Sequence, residues 1–181
     1  MSSTAKLIVI LLAAAMAQAQ DDSPGRKVPS VSIVPPGMET VTRGKANTVD
    51  LQFRVGSGFH INSNTPKSDF LIPTTLRLNA PTDVVVGKIT YPAGEDRSFP
   101  FDPDEKLSVY SGAFEVSVDV HPLSSVSPGK YAFHGTLRYQ ACDNAACYPP
   151  KTTPVDFDVK VEKAKVVVHK ANPAQSPHAH Q

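Results

Sequence analysis

The chain has 181 residues, with 18 Lys and Arg against 17 Asp and Glu, 40% hydrophobic residues, 17 Pro, no Trp and two Cys. Its apolar content is enough for a folded module and far from the charge-rich composition of a disordered chain. The near-zero net charge argues against electrostatic nucleic-acid binding, which needs a clustered surplus of Lys and Arg; two cysteines exclude a disulfide scaffold and a four-thiolate zinc site.

Residues 1–19 carry one basic residue, Lys6, then the apolar run Leu7 to Ala15 and the small residues ending at Ala19. This pattern predicts a secretory signal peptide cleaved after Ala19. The apolar run is about half the ~20 residues a spanning helix needs, so no membrane insertion of the mature chain is expected. The only cysteines, Cys142 and Cys147, lie far from the cleavage point, which excludes a lipid anchor on a signal-adjacent Cys. The protein is expected to be periplasmic or otherwise exported, where disulfides persist. Residues 20–29 read as a linker and 166–181 as a polar, disordered tail, leaving 30–165 as one domain.

Within that domain the sequence predicts strands. Val31–Val34 comes first, followed by Val49, Leu51, Phe53 and Val55 alternating with polar residues before Gly56-Ser57-Gly58. Thr74–Leu78, Val84–Tyr91 and Leu107–Tyr110 are shorter candidates separated by turn formers. Phe114, Val116, Val118 and Val120 alternate until Pro122 stops the strand, and Tyr131, Phe133, Gly135, Leu137 and Tyr139 share one face of the next. The last runs through Val155, Phe157, Val159 and Val161. A period of two places these residues on one face of a sheet. No stretch after the signal peptide has helical spacing over ten positions without Pro or Gly. The expected fold is therefore all-β, an immunoglobulin-like antiparallel β-sandwich.

Both cysteines fall between the last two strands, in Tyr139-Gln140-Ala141-Cys142-Asp143-Asn144-Ala145-Ala146-Cys147-Tyr148-Pro149-Pro150. As a staple, a bridge closing so short a loop contributes only about 2 kcal/mol, against nearly 5 for a loop of ~100 residues. As a redox pair, the same spacing brings two thiols into exchange range near the end of an element. Spacing alone leaves both readings open. No Ser/His/Asp order, phosphate loop or paired-acid motif is present.

The string YQACDNAACYPP, followed by KTTPVDFDV, closely resembles the active-site hairpin of the N-terminal periplasmic domain family of DsbD, the bacterial thiol:disulfide interchange protein. Gly58 to Ser63 resembles the family's glycine-aromatic strand, and Lys106 to Gly112, with Tyr110, its Ser-x-Val/Ile-Tyr segment; the resemblance spans roughly residues 30–162. It implies a sandwich that carries electrons through a reversible Cys142–Cys147 disulfide. Cys147 would form the mixed disulfide with partners and Cys142 would resolve it. Tyr139 and Gln140 would set the strand end presenting Cys142, Tyr148 and Pro149 would flank the exit, and His60 and Tyr110 would belong to the surround of the site. The stretch Gly94 to Lys106 corresponds to the family's mobile cap loop, with Phe99 and Phe101 as candidate shields over the sulfurs.

The implied partners are thioredoxin-like or membrane thiol:disulfide redox proteins, acting as donor and acceptor. Because the chain ends in a polar tail at Gln181, without the family's membrane and thioredoxin-like domains, its electrons are expected to come from a separate polypeptide. Asp143 beside Cys142 disfavours a thiolate, and Arg138 and Lys151 are the nearest cations in sequence, so the free thiol is expected to react slowly. No cofactor and no metal are expected. The competing readings are a secreted immunoglobulin-like binding module with a structural disulfide, and a metal-handling protein using the thiols with His169, His178 and His180. His121 and His134 lie without a ligand pattern around them.

Overall fold

The computed structural model describes residues 28–164. The signal peptide, most of the 20–29 linker and the 166–181 tail, with His169, His178 and His180, lie outside the described residues. Twelve strands form three four-stranded sheets, and no helix occurs among the described residues.

The first sheet orders β1 (Val31–Ile33), β3 (Asn47–Val55), β9 (Ala113–Pro122) and β6 (Val84–Thr90), every pair antiparallel. The second orders β2 (Glu39–Thr42), β12 (Lys151–Glu162), β10 (Gly129–Tyr139) and β5 (Thr75–Asn79). It is antiparallel except where β2 runs parallel to β12 along the edge. The predicted alternation is the physical cause of the sandwich. In β3, Val49, Leu51, Phe53 and Val55 are buried; in β9, Phe114, Val116, Val118 and Val120; in β12, Val155, Phe157, Val159 and Val161. These faces meet in one apolar cluster that draws on both sheets, which defines the immunoglobulin-like sandwich. Facing rings on neighbouring strands deepen it: Phe53 stacks on Phe114 at 5.3 Å and Phe133 on Phe157 at 4.8 Å, each pair in register.

Gly135 is required by packing. A Cβ there would collide with the Arg77 carbonyl and the Leu78 side chain, so its absence lets β5 close onto β10. Gly112, at φ 62°, makes the turn from β8 (Asp102–Ser111) into β9, a left-handed conformation that disfavours a side chain.

The third sheet orders β11 (Ala141–Cys142), β4 (His60–Asn62), β8 and β7 (Glu95–Phe99), all antiparallel. It sits at the end of the sandwich where β10 runs out. Ile61, Tyr110 and Ala141 join the main core from this sheet, while Phe99, Leu107 and Val109 gather with Leu71 in a small separate cluster. Strands β2, β7 and β11 escape the period-two reading. Each is short, and β7, the charged edge strand Glu-Asp-Arg-Ser-Phe, buries only its last residue. The stretch 94–106, which the resemblance assigns to the cap loop, largely forms the β7–β8 hairpin, with a register shift between Arg97 and Phe99.

Candidate functional site

Where β10 ends at Tyr139 the chain crosses into the third sheet and folds back on itself. The Tyr148 N–H donates to the Ala141 carbonyl at 2.9 Å and the Asp143 N–H to the Ala146 carbonyl at 3.0 Å. Cys142 and Cys147 therefore face one another as the non-hydrogen-bonded pair between these two rungs, with Cα atoms 4.0 Å apart and their sulfurs bridged. The tip is fixed by Asp143, whose carboxylate accepts from the Ala145 and Ala146 N–H groups at 2.8 and 2.9 Å and from the Tyr148 hydroxyl at 2.6 Å. These three hydrogen bonds hold the Asp143 carboxyl below the usual carboxylate range, the Tyr148 bond contributing most.

The two sulfurs have unlike surroundings. Cys142 is 0% exposed, whereas Cys147 is exposed on the outer side of the turn.

Gln140 knits the hairpin to its surroundings. Its side-chain oxygen accepts from Asn62 Nδ2 at 3.1 Å and from the Ile72 N–H at 3.2 Å, while Nε2 donates to the Tyr148 carbonyl at 3.3 Å. Tyr148 also meets Phe59 edge-on at 5.8 Å. Tyr139 points the other way, into the core, and its hydroxyl accepts from the Val31 N–H at 3.1 Å. Tyr110 is buried against Phe114, and its hydroxyl donates to Asn64 Oδ1 at 2.6 Å, fastening β8 to the segment after β4. Burial pushes both phenols up. Pro149 is exposed at the hairpin exit.

His60 is brought directly beside the disulfide. It pairs with Cys142 on one side and with Ser111 on the other, so Ser111, His60, Cys142 and Cys147 form one row across the sheet, all on the same face. Phe99 lies flat on the His60 imidazole at 3.8 Å, and Phe101, 39% exposed, stacks outside Phe99 at 5.6 Å. The aromatic contact of the cap is thus with the histidine next to Cys142. Arg97 lies over the Phe99 ring at 5.7 Å. A cleft of about 550 Å³ opens beside the row, lined by Phe59, His60, Arg97, Phe99, Ser111 and Asn144 among others.

Desolvation lowers the His60 pKa to about 4, with the Arg97 guanidinium acting in the same direction and Asp143 opposing. Its Nε2 is buried without a hydrogen-bond partner. The cations nearest the cysteines in sequence are engaged elsewhere: Lys151 donates to the Pro29 carbonyl at 2.9 Å, and Arg138 lines a separate hollow with Thr75, Arg77, Thr136 and Thr152. Opposite His134, exposed on β10, the fold sets Asp156 at 2.7 Å. Among the described residues no three His, Cys, Asp or Glu side chains gather as a metal site.

Sequence reasoning left out Asn62, Ser111 and Arg97, and treated Asp143 only as a charge. The Asp143-Asn144 turn signal was present for the last. The others have no local signature, because only strand register places them beside the cysteines.

The fold and site together define an all-β sandwich that carries a cross-strand disulfide on an end hairpin. A family model described as "Thiol:disulfide interchange protein DsbD, N-terminal" matches residues 31–159, and the chain belongs to that family. Among solved structures, the Neisseria meningitidis DsbD N-terminal domain in its reduced form is 20% identical, with a TM-score of 0.39 over 61% of this chain and 79% of that one. A Neisseria meningitidis complex of the DsbD N-terminal and PilB N-terminal domains gives 22% identity and a TM-score of 0.40, over 60% and 73% of the two chains. The AggA fimbrial subunit from Escherichia coli gives 12% and 0.34, over 75% and 95%. No curated protein sequence matches the chain.

Proposed function

We propose that this protein relays reducing equivalents between redox proteins through reversible opening of the Cys142–Cys147 bridge, in the exported compartment that its first 19 residues address. The observation that carries the reading is the asymmetry of the pair: an exposed Cys147 bridged to a fully enclosed Cys142. Family membership supports thiol:disulfide interchange as the chemistry. The hairpin supports it as well, since its backbone rungs and the Asp143 cap already close the turn, leaving a staple little to add.

In this reading a partner thiolate attacks Cys147 Sγ, the bridge breaks, and Cys142 leaves as the thiolate. A second partner thiol then attacks the mixed disulfide, releasing Cys147 and completing a two-electron transfer. In the opposite direction Cys147 attacks an oxidised partner and Cys142 resolves the intermediate. The partners are thioredoxin-like or membrane thiol:disulfide proteins, with separate docking events for donor and acceptor. Residues 30–165 form the working domain, 20–29 its leader-side linker and 166–181 its tail.

The test is a reduction potential together with a trap. Equilibration against thiol buffers is expected to place the bridge above about −300 mV, the region below which structural disulfides fall. Cys142→Ala is expected to form a mixed disulfide with an oxidised thioredoxin-like protein through Cys147, caught by acid quenching, while Cys147→Ala forms none. A potential below that limit, with neither variant trapping, sinks the relay and leaves a structural bridge.

A further inference from the structure

We infer that His60 is the proton-handling residue for Cys142, accepting the Cys142 thiol proton at Nε2 when that thiol attacks and returning it when the bridge is opened. The inference rests on the interchange reading and assigns a partner to the sulfur that solvent does not reach.

Register carries the argument first. His60 and Cys142 are directly opposed on β4 and β11, so their side chains leave the same face at neighbouring strand positions. One rung further along, Asn62 and Gln140 occupy the equivalent positions, and their side chains do meet, at 3.1 Å. Orphaned polarity carries it second. His60 is 3% exposed and its Nε2 has no partner while the sulfurs are bonded to each other. A buried polar atom without a partner is costly unless another state of the protein supplies one. Reduction supplies it: Cys142 becomes a thiol, a donor that the bridged form lacks. The Phe99 ring stacked on the imidazole fixes its plane.

The groups around the imidazole keep it neutral at rest. From β7 the Arg97 guanidinium faces it, from β8 Ser111, which contacts Glu95 at 3.4 Å, and from the turn Asp143. Burial and Arg97 keep the ring uncharged near neutral pH, so its free nitrogen can accept. In resolution, Cys142 S–H gives its proton to Nε2, its electron pair forms the bond to Cys147 Sγ, and the partner leaves as a thiolate. The imidazolium then yields its proton to that thiolate or to water in the adjoining cleft. Reduction runs the same steps backwards, so protons and electrons balance without a further reagent.

The reaction of reduced protein with 5,5′-dithiobis(2-nitrobenzoate) separates the steps. A first equivalent of coloured thiolate is released as Cys147 attacks, and a second as Cys142 resolves the mixed disulfide. In the wild type the second phase is expected to be fast at pH 7. In His60→Phe, which keeps a ring against Phe99, and in His60→Gln, it is expected to slow at least tenfold at pH 7 and to rejoin the wild-type rate at alkaline pH, where Cys142 ionises unaided. A slowing by one constant factor at every pH, or none, overturns the proposal. A nitrogen NMR spectrum of the wild-type His60 ring needs no variant: the Nε2 resonance is expected to shift on reduction as it accepts the Cys142 thiol hydrogen, and an unchanged resonance overturns the proposal. If the wild type shows no second phase because Cys142 never resolves, interchange itself fails; a normal wild-type second phase with superimposed variants removes His60 alone.

Discussion

His60 also bears on stability, because the fold lowers its proton affinity. The unfolded chain takes up this proton near pH 6.5, the folded one near 4. Between those values the unfolded state binds more protons, so stability falls as pH drops through that window. The loss is on the order of 3 kcal/mol. Thermal melts of the bridged protein from pH 7 to pH 4 are expected to show a decline in Tm that shrinks in His60→Phe; parallel declines in both proteins remove His60 as the source. Asp143 acts lower on the scale. Its carboxyl is held down by the Tyr148 hydroxyl and two N–H groups, so its contribution is present above the ordinary carboxylate range and goes only as pH falls below it. At this scale the sequence identified the cysteines and, through the family resemblance, His60, but no local pattern reported the free nitrogen or the burial difference between the sulfurs.

At the scale of elements, legibility followed burial. Strands β3, β9, β10 and β12 were readable because each covers the core with one face, which forces alternation. Strand β4 was not, since His60, Ile61 and Asn62 are all buried and give a run without a period. The pairing of the β7–β8 hairpin was hidden for the opposite reason, although Leu107–Tyr110 read as a strand: β7 and residues 103–106 are mostly charged and exposed, and the pairing depends on β8 finding β4. Phe99 gives this hairpin its grip, being 4% exposed between His60 and the Leu107–Val109 cluster. Phe99→Ala is expected to raise the rate of bridge reduction by dithiothreitol several-fold, and Phe101→Ala less, because Phe101 is the outer ring of the stack, farther from His60. Equal rates in the wild type, both single variants and the double variant would rule out a shielding role.

For the molecule as a whole, the disulfide is peripheral to what holds the chain folded. The main core joins two sheets through Leu51, Phe53, Val116, Val118, Phe133, Leu137 and their neighbours, and the bridge sits beyond the end of that core. Closing so short a loop contributes about 2 kcal/mol in chain entropy. Cys142→Ala combined with Cys147→Ala is therefore expected to unfold cooperatively, with Tm lower by roughly 10 °C or less. A variant that no longer melts cooperatively would make the bridge a structural staple after all.

Sequence alone determined the all-β class, the four long strands, the absence of helical spacing after residue 19, and the placing of both cysteines on one connection. These are local properties: a strand with one buried face writes its period into its own residues, and a turn writes its Asp, Asn and Pro. Only the tertiary structure decided that Cys142 is enclosed and Cys147 exposed, that β7 and β8 form a hairpin, and that Ser111, His60, Cys142 and Cys147 share one row. Those facts depend on which strands pair and in what register. Residues 60, 111 and 142 are distant along the chain, and only the ladders between β8, β4 and β11 make them neighbours.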